Sequence, residues 1–183
     1  MAAKVALLFF TFGLAFLAAT VSADPDMLQD VCVADFNSGV KVNANVQKIP
    51  GLNTLGVSMA RIDYAPGGLN PPHTHPRATE MVFVLEGQLD VGFITTANVL
   101  IAKTIKAGET FAFPKGLVHF QKNNGQVAAA VIAAFNSQLA GTQTIAATLF
   151  AAQPPVPDNV LTKAFQVGAK EVQKIKSKFA PKK

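Results

Sequence analysis

Gly67-Gly68-Leu69-Asn70-Pro71-Pro72-His73-Thr74-His75-Pro76-Arg77-Ala78-Thr79-Glu80 is the stretch on which the reading of the whole chain turns. In an extended segment, residues i and i+2 project from the same face, so the imidazoles of His73 and His75 can aim at one point. Pro71-Pro72 stiffens the approach to His73, Pro76 interrupts the chain after His75, and Glu80 opens the next apolar run. The third histidine, His119, lies downstream in another strand-like run, Val118–Gln121, and no other histidine exists in the chain. Three histidines placed this way, with a carboxylate beside two of them, read as one ligand set.

Three neutral imidazoles and a carboxylate suit a borderline-to-hard divalent ion. A closed structural zinc site more often uses thiolates, and the single cysteine, Cys32, is far away in sequence. Nitrogen–oxygen ligation with positions left to water fits Mn(II) or Fe(II) better than Cu(II), which prefers a tetragonal arrangement. Manganese leads, followed by iron and then zinc. Raw affinity favours zinc or copper, so the bound metal also depends on supply.

Outward from that stretch, Leu55–Ala65, Glu80–Leu85, Gln88–Thr95, Val99–Ile105, Thr110–Phe113, Val118–Gln121, Val127–Asn136 and Thr144–Thr148 are rich in Val, Ile, Phe, Thr or Leu. Turn signals separate them: Pro66-Gly67-Gly68, Glu86-Gly87, Ala107-Gly108, Pro114-Lys115-Gly116 and Asn123-Asn124-Gly125. Short strands at this spacing predict an all-β sandwich or barrel over residues 55–152. Gln153-Pro154-Pro155-Val156-Pro157 then breaks the pattern. Residues 153–183 predict two helices, the first over Asn159–Phe165 with Asp158 as its N-cap. The second follows Gly168, with Val172, Ile175 and Phe179 on one apolar stripe.

Residues 1–23 have the layout of a signal peptide: Met1–Lys4 is basic, Val5–Ala19 is apolar, and Val21-Ser22-Ala23 offers a cleavage site. The run is shorter than the ~20 apolar residues of a membrane span. The mature chain is therefore expected to start near Asp24, to be exported and to be soluble, with no transmembrane segment. Seven lysines and one acid between Lys163 and Lys183 make the tail basic, whereas residues 24–162 are slightly acidic. That tail is either a contact for an anionic wall polymer or the solvated face of a helix. With no Trp, one Tyr and no basic–aromatic interleaving, nucleic-acid binding has no support. Cys32 is unusual in an exported protein; it is buried and inert, cross-links two chains, or has lost its partner. Lys103, Lys106 and Lys115 are candidates for steering an anion, or are simply solubilising.

As a pattern, Gly67-(x5)-His73-x-His75-(x4)-Glu80-(x6)-Gly87 followed by Gly108-(x5)-Pro114-x-Gly116-(x2)-His119-(x3)-Asn123 matches the two cupin motifs without a gap. Ile49-Pro50-Gly51-Leu52-Asn53-Thr54-Leu55-Gly56, Pro71–Glu80 and Phe113–Gln121 further resemble plant germins and germin-like proteins, as do Leu28-Gln29-Asp30 and Val160–Ala164. The resemblance covers essentially the whole mature chain. It implies a cupin jelly-roll β-barrel with a C-terminal α-helical extension and a manganese ion on His73, His75, Glu80 and His119. It also implies an apoplastic homo-oligomer, a hexamer built as a trimer of dimers, with terminal helices interlocking between subunits.

The chain departs from that family twice. Germins carry a second cysteine soon after the first, and a longer stretch before the Ile-Pro-Gly-Leu segment; here the N-terminal arm, residues 24–54, looks shortened and lacks the disulfide partner. Oxalate-oxidising germins also place two asparagines over the metal. Asn70 matches one, but Ala60 stands where the other falls. Alanine offers no donor, and a missing hydrogen bond to a charged group costs about 1.5–3 kcal/mol. The leading functional expectation is a manganese superoxide dismutase that releases hydrogen peroxide in the cell wall, in plant defence or stress. Asn70 would contact the substrate or a water, or be only a turn residue before Pro71. Oxalate oxidase activity and a non-catalytic wall-associated receptor or storage-type cupin are the alternatives.

Overall fold

Side chains that project to opposite faces along each strand build two sheets with a shared interior. In the computed structural model, which describes residues 43–179, one sheet runs in the order β1 (Asn43–Ala44), β2 (Ser58–Tyr64), β9 (Ala129–Phe135), β4 (Glu80–Glu86) and β7 (Thr110–Phe113). The other runs β10 (Gln143–Thr144), β3 (Leu69–Thr74), β8 (His119–Lys122), β5 (Gln88–Ile94) and β6 (Leu100–Lys106). Neighbours within each sheet are antiparallel. Three helices follow: α1 (Ile145–Phe150), α2 (Asp158–Phe165) and α3 (Ala169–Phe179). The all-β jelly roll with a helical extension is thus as expected. The expected signal peptide, Cys32 and most of the expected arm fall outside the described residues.

The core is Val82, Val84, Leu89, Val91, Ile105, Phe113 and Val131, each at most 1% exposed. Fully burying such a side chain contributes roughly 1.5–3 kcal/mol. In β4 the same period that buries Val82 and Val84 and leaves Met81 and Phe83 outside also buries Glu80. The period in β8 likewise buries His119 and Gln121. The polar cluster is therefore part of the core, carried there by strand geometry.

Between β3 and β8 the register shifts: Asn70 lies opposite Gln121 and His73 opposite His119, so β3 contains one extra residue. That residue falls at Pro71-Pro72, where a missing N–H cannot join the ladder. The bulge sets His73 beside His119. The two motifs also meet at their far ends, where Gly67 N–H donates to the Asn123 carbonyl at 2.9 Å and Asn123 N–H to the Gly68 carbonyl at 2.8 Å. The Asn123 side-chain amide donates to the carbonyls of Tyr64, Ala65 and Val127, so this motif residue pins turns and holds no ligand. Gly87 has φ +74°, and a Cβ there would meet the Ala128 carbonyl at 2.6 Å, which explains the glycine that closes the first motif.

Two local expectations need correction. Of the strand expected at Thr144–Thr148 only Thr144 is a strand residue; the chain turns into α1 at Ile145, where two alanines favour helix and the sheet edge offers no further pairing. Asp158 is not the N-cap. Pro157 holds that position, and the Asp158 carboxylate accepts a hydrogen bond from Lys176 Nζ at 2.6 Å and one from Gln173, tying α2 to α3. Val172 of the expected apolar stripe is fully buried, as is Leu161, whereas Phe179 is 40% exposed.

Candidate metal centre

His73 lies in β3, His75 just beyond its end, and Glu80 and His119 open β4 and β8. One donor atom from each lies within 4.8 Å of the others, and all four side chains are buried. The structure thus brings together all four residues singled out in the sequence. Ring packing fixes them further: Phe113 stacks on His119 with centroids 4.6 Å apart, and Phe135 meets His75 edge-on at 4.8 Å.

Each imidazole is oriented by a backbone carbonyl. His73 Nδ1–H donates to Pro71 at 2.8 Å, His119 Nδ1–H to Leu117 at 2.8 Å, and His75 Nδ1–H to Gly141 at 2.5 Å. A carbonyl can only accept, so Nδ1 carries a proton in each ring, and Nε2 presents a lone pair whenever the ring is neutral, as metal ligation requires. Nε2 of His75 and of His119 lie 3.1 and 3.0 Å from the same Glu80 Oε2. Nε2 of His73, also buried, has no hydrogen-bond partner. With neutral rings, three Nε2 lone pairs and a carboxylate face one another and a cation belongs among them; without an ion, a proton on Nε2 bridges to Glu80 in its place. These residues fit a divalent metal ion, in the arrangement where the outer nitrogen of each ligand is fixed by a hydrogen bond.

The electrostatics of the metal-free cluster follow from those bridging protons and from burial. Burial, aided by the charge of His119, lowers the His73 pKa to about 4, which keeps its ring neutral. Burial opposes the charge on Glu80, but hydrogen bonds from His119 and His75 outweigh it and hold the carboxyl at about 2. Burial also opposes protonation of His75; its hydrogen bonds to Glu80 and to the Gly141 carbonyl outweigh that and raise its pKa.

A cavity of about 400 Å³ leads from this cluster to the surface. Its buried end is formed by His73, His75 and Glu80, its walls include Ala60, Ile62 and Phe135, and its open end includes Asn43, Asn70 and Arg77. Asn70 and Ala60 therefore share one cavity. Asn43 is paired in register with Ala60, which turns both side chains to one face. Gln121 donates to Glu80 Oε1 at 3.4 Å. Sequence reasoning missed Gln121, Asn43 and Arg77. Gln121 was findable, two residues after His119 in a strand; Arg77 stands between two ligand candidates; Asn43 is brought in only by pairing. Lys103, Lys106 and Lys115 do not line the cavity, and Lys103 pairs with Glu109 at 2.9 Å.

With the geometry in hand, likeness to known proteins becomes informative. The Cupin family model matches residues 34–173. The chain is 64% identical over 198 residues to germin-like protein 5-1 of Oryza sativa subsp. japonica, covering 90% of each. It is 68% identical over 194 residues to the rhicadhesin receptor of Pisum sativum, covering 86% of this chain and 89% of the relative. A solved structure of recombinant oxalate oxidase in complex with glycolate superposes with a TM-score of 0.77 at 42% identity, covering 86% of this chain and 98% of the other. Fold, cluster and likeness place the chain in the cupin family, and within it the chain belongs to the germin-like proteins. The aligned span with the rice protein, 198 residues, exceeds the 183 residues of the whole chain, so part of the relative has no counterpart here.

Proposed function

We propose that this chain is a secreted, manganese-binding germin-like protein that disproportionates superoxide in the plant cell wall, with His73, His75, Glu80 and His119 as the metal ligands. When bound, manganese supplies one-electron chemistry: one superoxide is oxidised to dioxygen, and a second is reduced, with two protons, to hydrogen peroxide. Iron and zinc are the alternative ions. The chain's own residues hold the donor atoms in place, keep water from the buried end with Ala60, Ile62 and Phe135, and offer the Asn70 amide to an incoming anion or a water. The observation that carries the substrate reading is the wall of the cavity. Ala60 stands there with no hydrogen bond to give, so a dicarboxylate is held less well than a small anion that needs only one amide.

Two other readings have observations behind them. Oxidation of oxalate is favoured by the structural likeness to oxalate oxidase, and a non-catalytic receptor role by the identity to the pea receptor. Purified protein with its metal quantified separates the three when assayed for superoxide removal and for peroxide release from oxalate. Superoxide removal without oxalate turnover is expected. Oxalate turnover alone overturns the proposal, and neither activity in fully loaded protein leaves the receptor or storage reading.

The remaining assignments are part of the same proposal: a signal peptide over residues 1–23, a shortened arm over 24–54, the barrel over 55–152 and terminal helices over 153–183. The alignment longer than this chain supports a gap relative to the rice protein, which we place in the arm. Exposed Val160, Phe165 and Phe179 on the terminal helices support assembly with further copies, as a hexamer. Among the described residues no helix is long and apolar enough to cross a membrane. N-terminal sequencing of apoplastic protein and native mass measure these directly.

A further inference from the structure

We propose that Arg77 is a positioning residue for the metal centre, holding the loop whose Gly141 carbonyl sets the tautomer and aim of His75. The inference rests on the reading of His75 as a metal ligand. It starts from an asymmetry among the three imidazoles. His73 and His119 each donate to a carbonyl two residues earlier, so the backbone partner of each ring comes from its own chain segment. His75 instead donates to a carbonyl 66 residues away, in the loop between β9 and β10. Something outside that strand must fix where this carbonyl stands.

Arg77 touches three successive residues of the loop. Its backbone N–H donates to the Ala140 carbonyl at 3.2 Å, and its Nε–H donates to the Leu139 carbonyl at 2.6 Å. Its guanidinium covers Gly141 so closely that a Cβ added there would sit 2.8 Å from a terminal nitrogen and 3.0 Å from Cζ. Gly141 also has φ +70°, a conformation that gives side-chain-bearing residues strain. Glycine at 141 thus satisfies two demands at once, the backbone turn and the approach of the guanidinium. A chain of contacts runs from Arg77 through Leu139 and Gly141 to His75 Nδ1, and so to the Nε2 lone pair that faces Glu80. Partners that orient a ligand from outside typically change metal affinity 10–100-fold when removed.

Arg77 also lines the cavity, so a role as mere positive charge has to be separated from a role in position. A lysine keeps the charge but loses both the Nε–H and the planar cover over Gly141. The test uses the full protein with Mn(II) as the probe, in Arg77→Met, Arg77→Lys and Gly141→Ala. Affinity is measured by competition with a chelator, coordination by the electron paramagnetic resonance spectrum of bound Mn(II), and folding by metal-free melting. All three variants are expected to bind Mn(II) about 10–100-fold more weakly with an altered spectrum. The metal-free Arg77 variants melt close to wild type, and Gly141→Ala melts lower because of its backbone strain but stays folded at the assay temperature. Wild-type affinity and spectrum in Arg77→Met overturn the proposal, as does full restoration by lysine, which assigns Arg77 to charge. Weakening that only follows a loss of folded protein, with an unaltered spectrum, also overturns it. Should Arg77→Met not fold, Arg77→Lys and Gly141→Ala decide the matter by the same readouts. Wild-type protein that binds no Mn(II) sinks the underlying metal reading and is thereby distinguishable.

Discussion

The two ends of the cavity are built by different rules. At the buried end, Glu80 is buried by the alternation that buries Val82 and Val84, His119 by the alternation of β8, and His73 stands beside it through the bulge in β3. At the open end, Asn43 comes from a two-residue strand, Asn70 precedes a bulge, and Arg77 lies between strands. The first set is determined by the fold as a whole; each member of the second is an individual choice of side chain. Metal binding should therefore tolerate changes at Asn43 and Asn70, with Arg77 the exception because it reaches back to His75 through the Gly141 loop, whereas choice of substrate should turn on one or two mouth residues.

The strongest way to break this contrast is at the buried end. Glu80→Gln removes the one anionic donor, and metal content by elemental analysis is expected to fall to a small fraction of wild type; full occupancy would overturn the ligand assignment. Phe113→Ala takes away a fully buried ring that both fills the core and stacks on His119. A loss of about 3–5 kcal/mol in urea unfolding is expected, and a much smaller loss would show that the cluster and the core are separable.

At the open end, Ala60→Asn restores an amide beside Asn70. A gain in oxalate binding worth about 1.5–3 kcal/mol is expected, read by calorimetry on metal-loaded protein. No gain would mean that Ala60 is not what limits oxalate, and the contrast would have to be redrawn further out, at Asn43.

The smallest effect is that of pH on metal-free protein. The folded pKa of His73 is about 4 against an ordinary 6.5, so between those values the unfolded chain takes up a proton that the native chain refuses. Its contribution to stability is present above pH 6.5 and lost as pH falls towards 4. Glu80, at about 2 against 4.5, has the same sign in a lower window. His75 is shifted upward, so its contribution is present below pH 6.5 and lost as pH rises through its folded value. The melting temperature of metal-free protein is expected to fall on acidification from pH 6.5 to 4, and a flat profile would count against burial as the origin of the His73 shift.

The buried end was legible in the sequence because strand alternation, a proline pair and four residues of restricted chemistry leave few alternatives. The bulge has a local cause in the same stretch, since Pro71-Pro72 has no N–H to donate to a ladder. The open end was not, because Asn43 meets Ala60 only through pairing between distant segments, and Arg77 acts on a loop more than sixty residues on. The two local corrections have the same origin. Gln143 and Thr144 form a strand, but how far it continues depends on a neighbouring strand that the local sequence does not display, and Asp158 prefers a lysine on another helix to a cap on its own.

Glu80 belongs to one sheet, and His73 and His119 to the other. An ion gripped by all three is a rivet through the barrel, and the sheets cannot part without releasing it. Binding free energy then becomes resistance to heat, growing with the logarithm of free metal at about 1.4 kcal/mol per tenfold above the dissociation constant. In a compartment whose metal content varies, the lifetime of such a molecule would follow the metal around it, and a melting temperature that ignored added Mn(II) would refute the rivet.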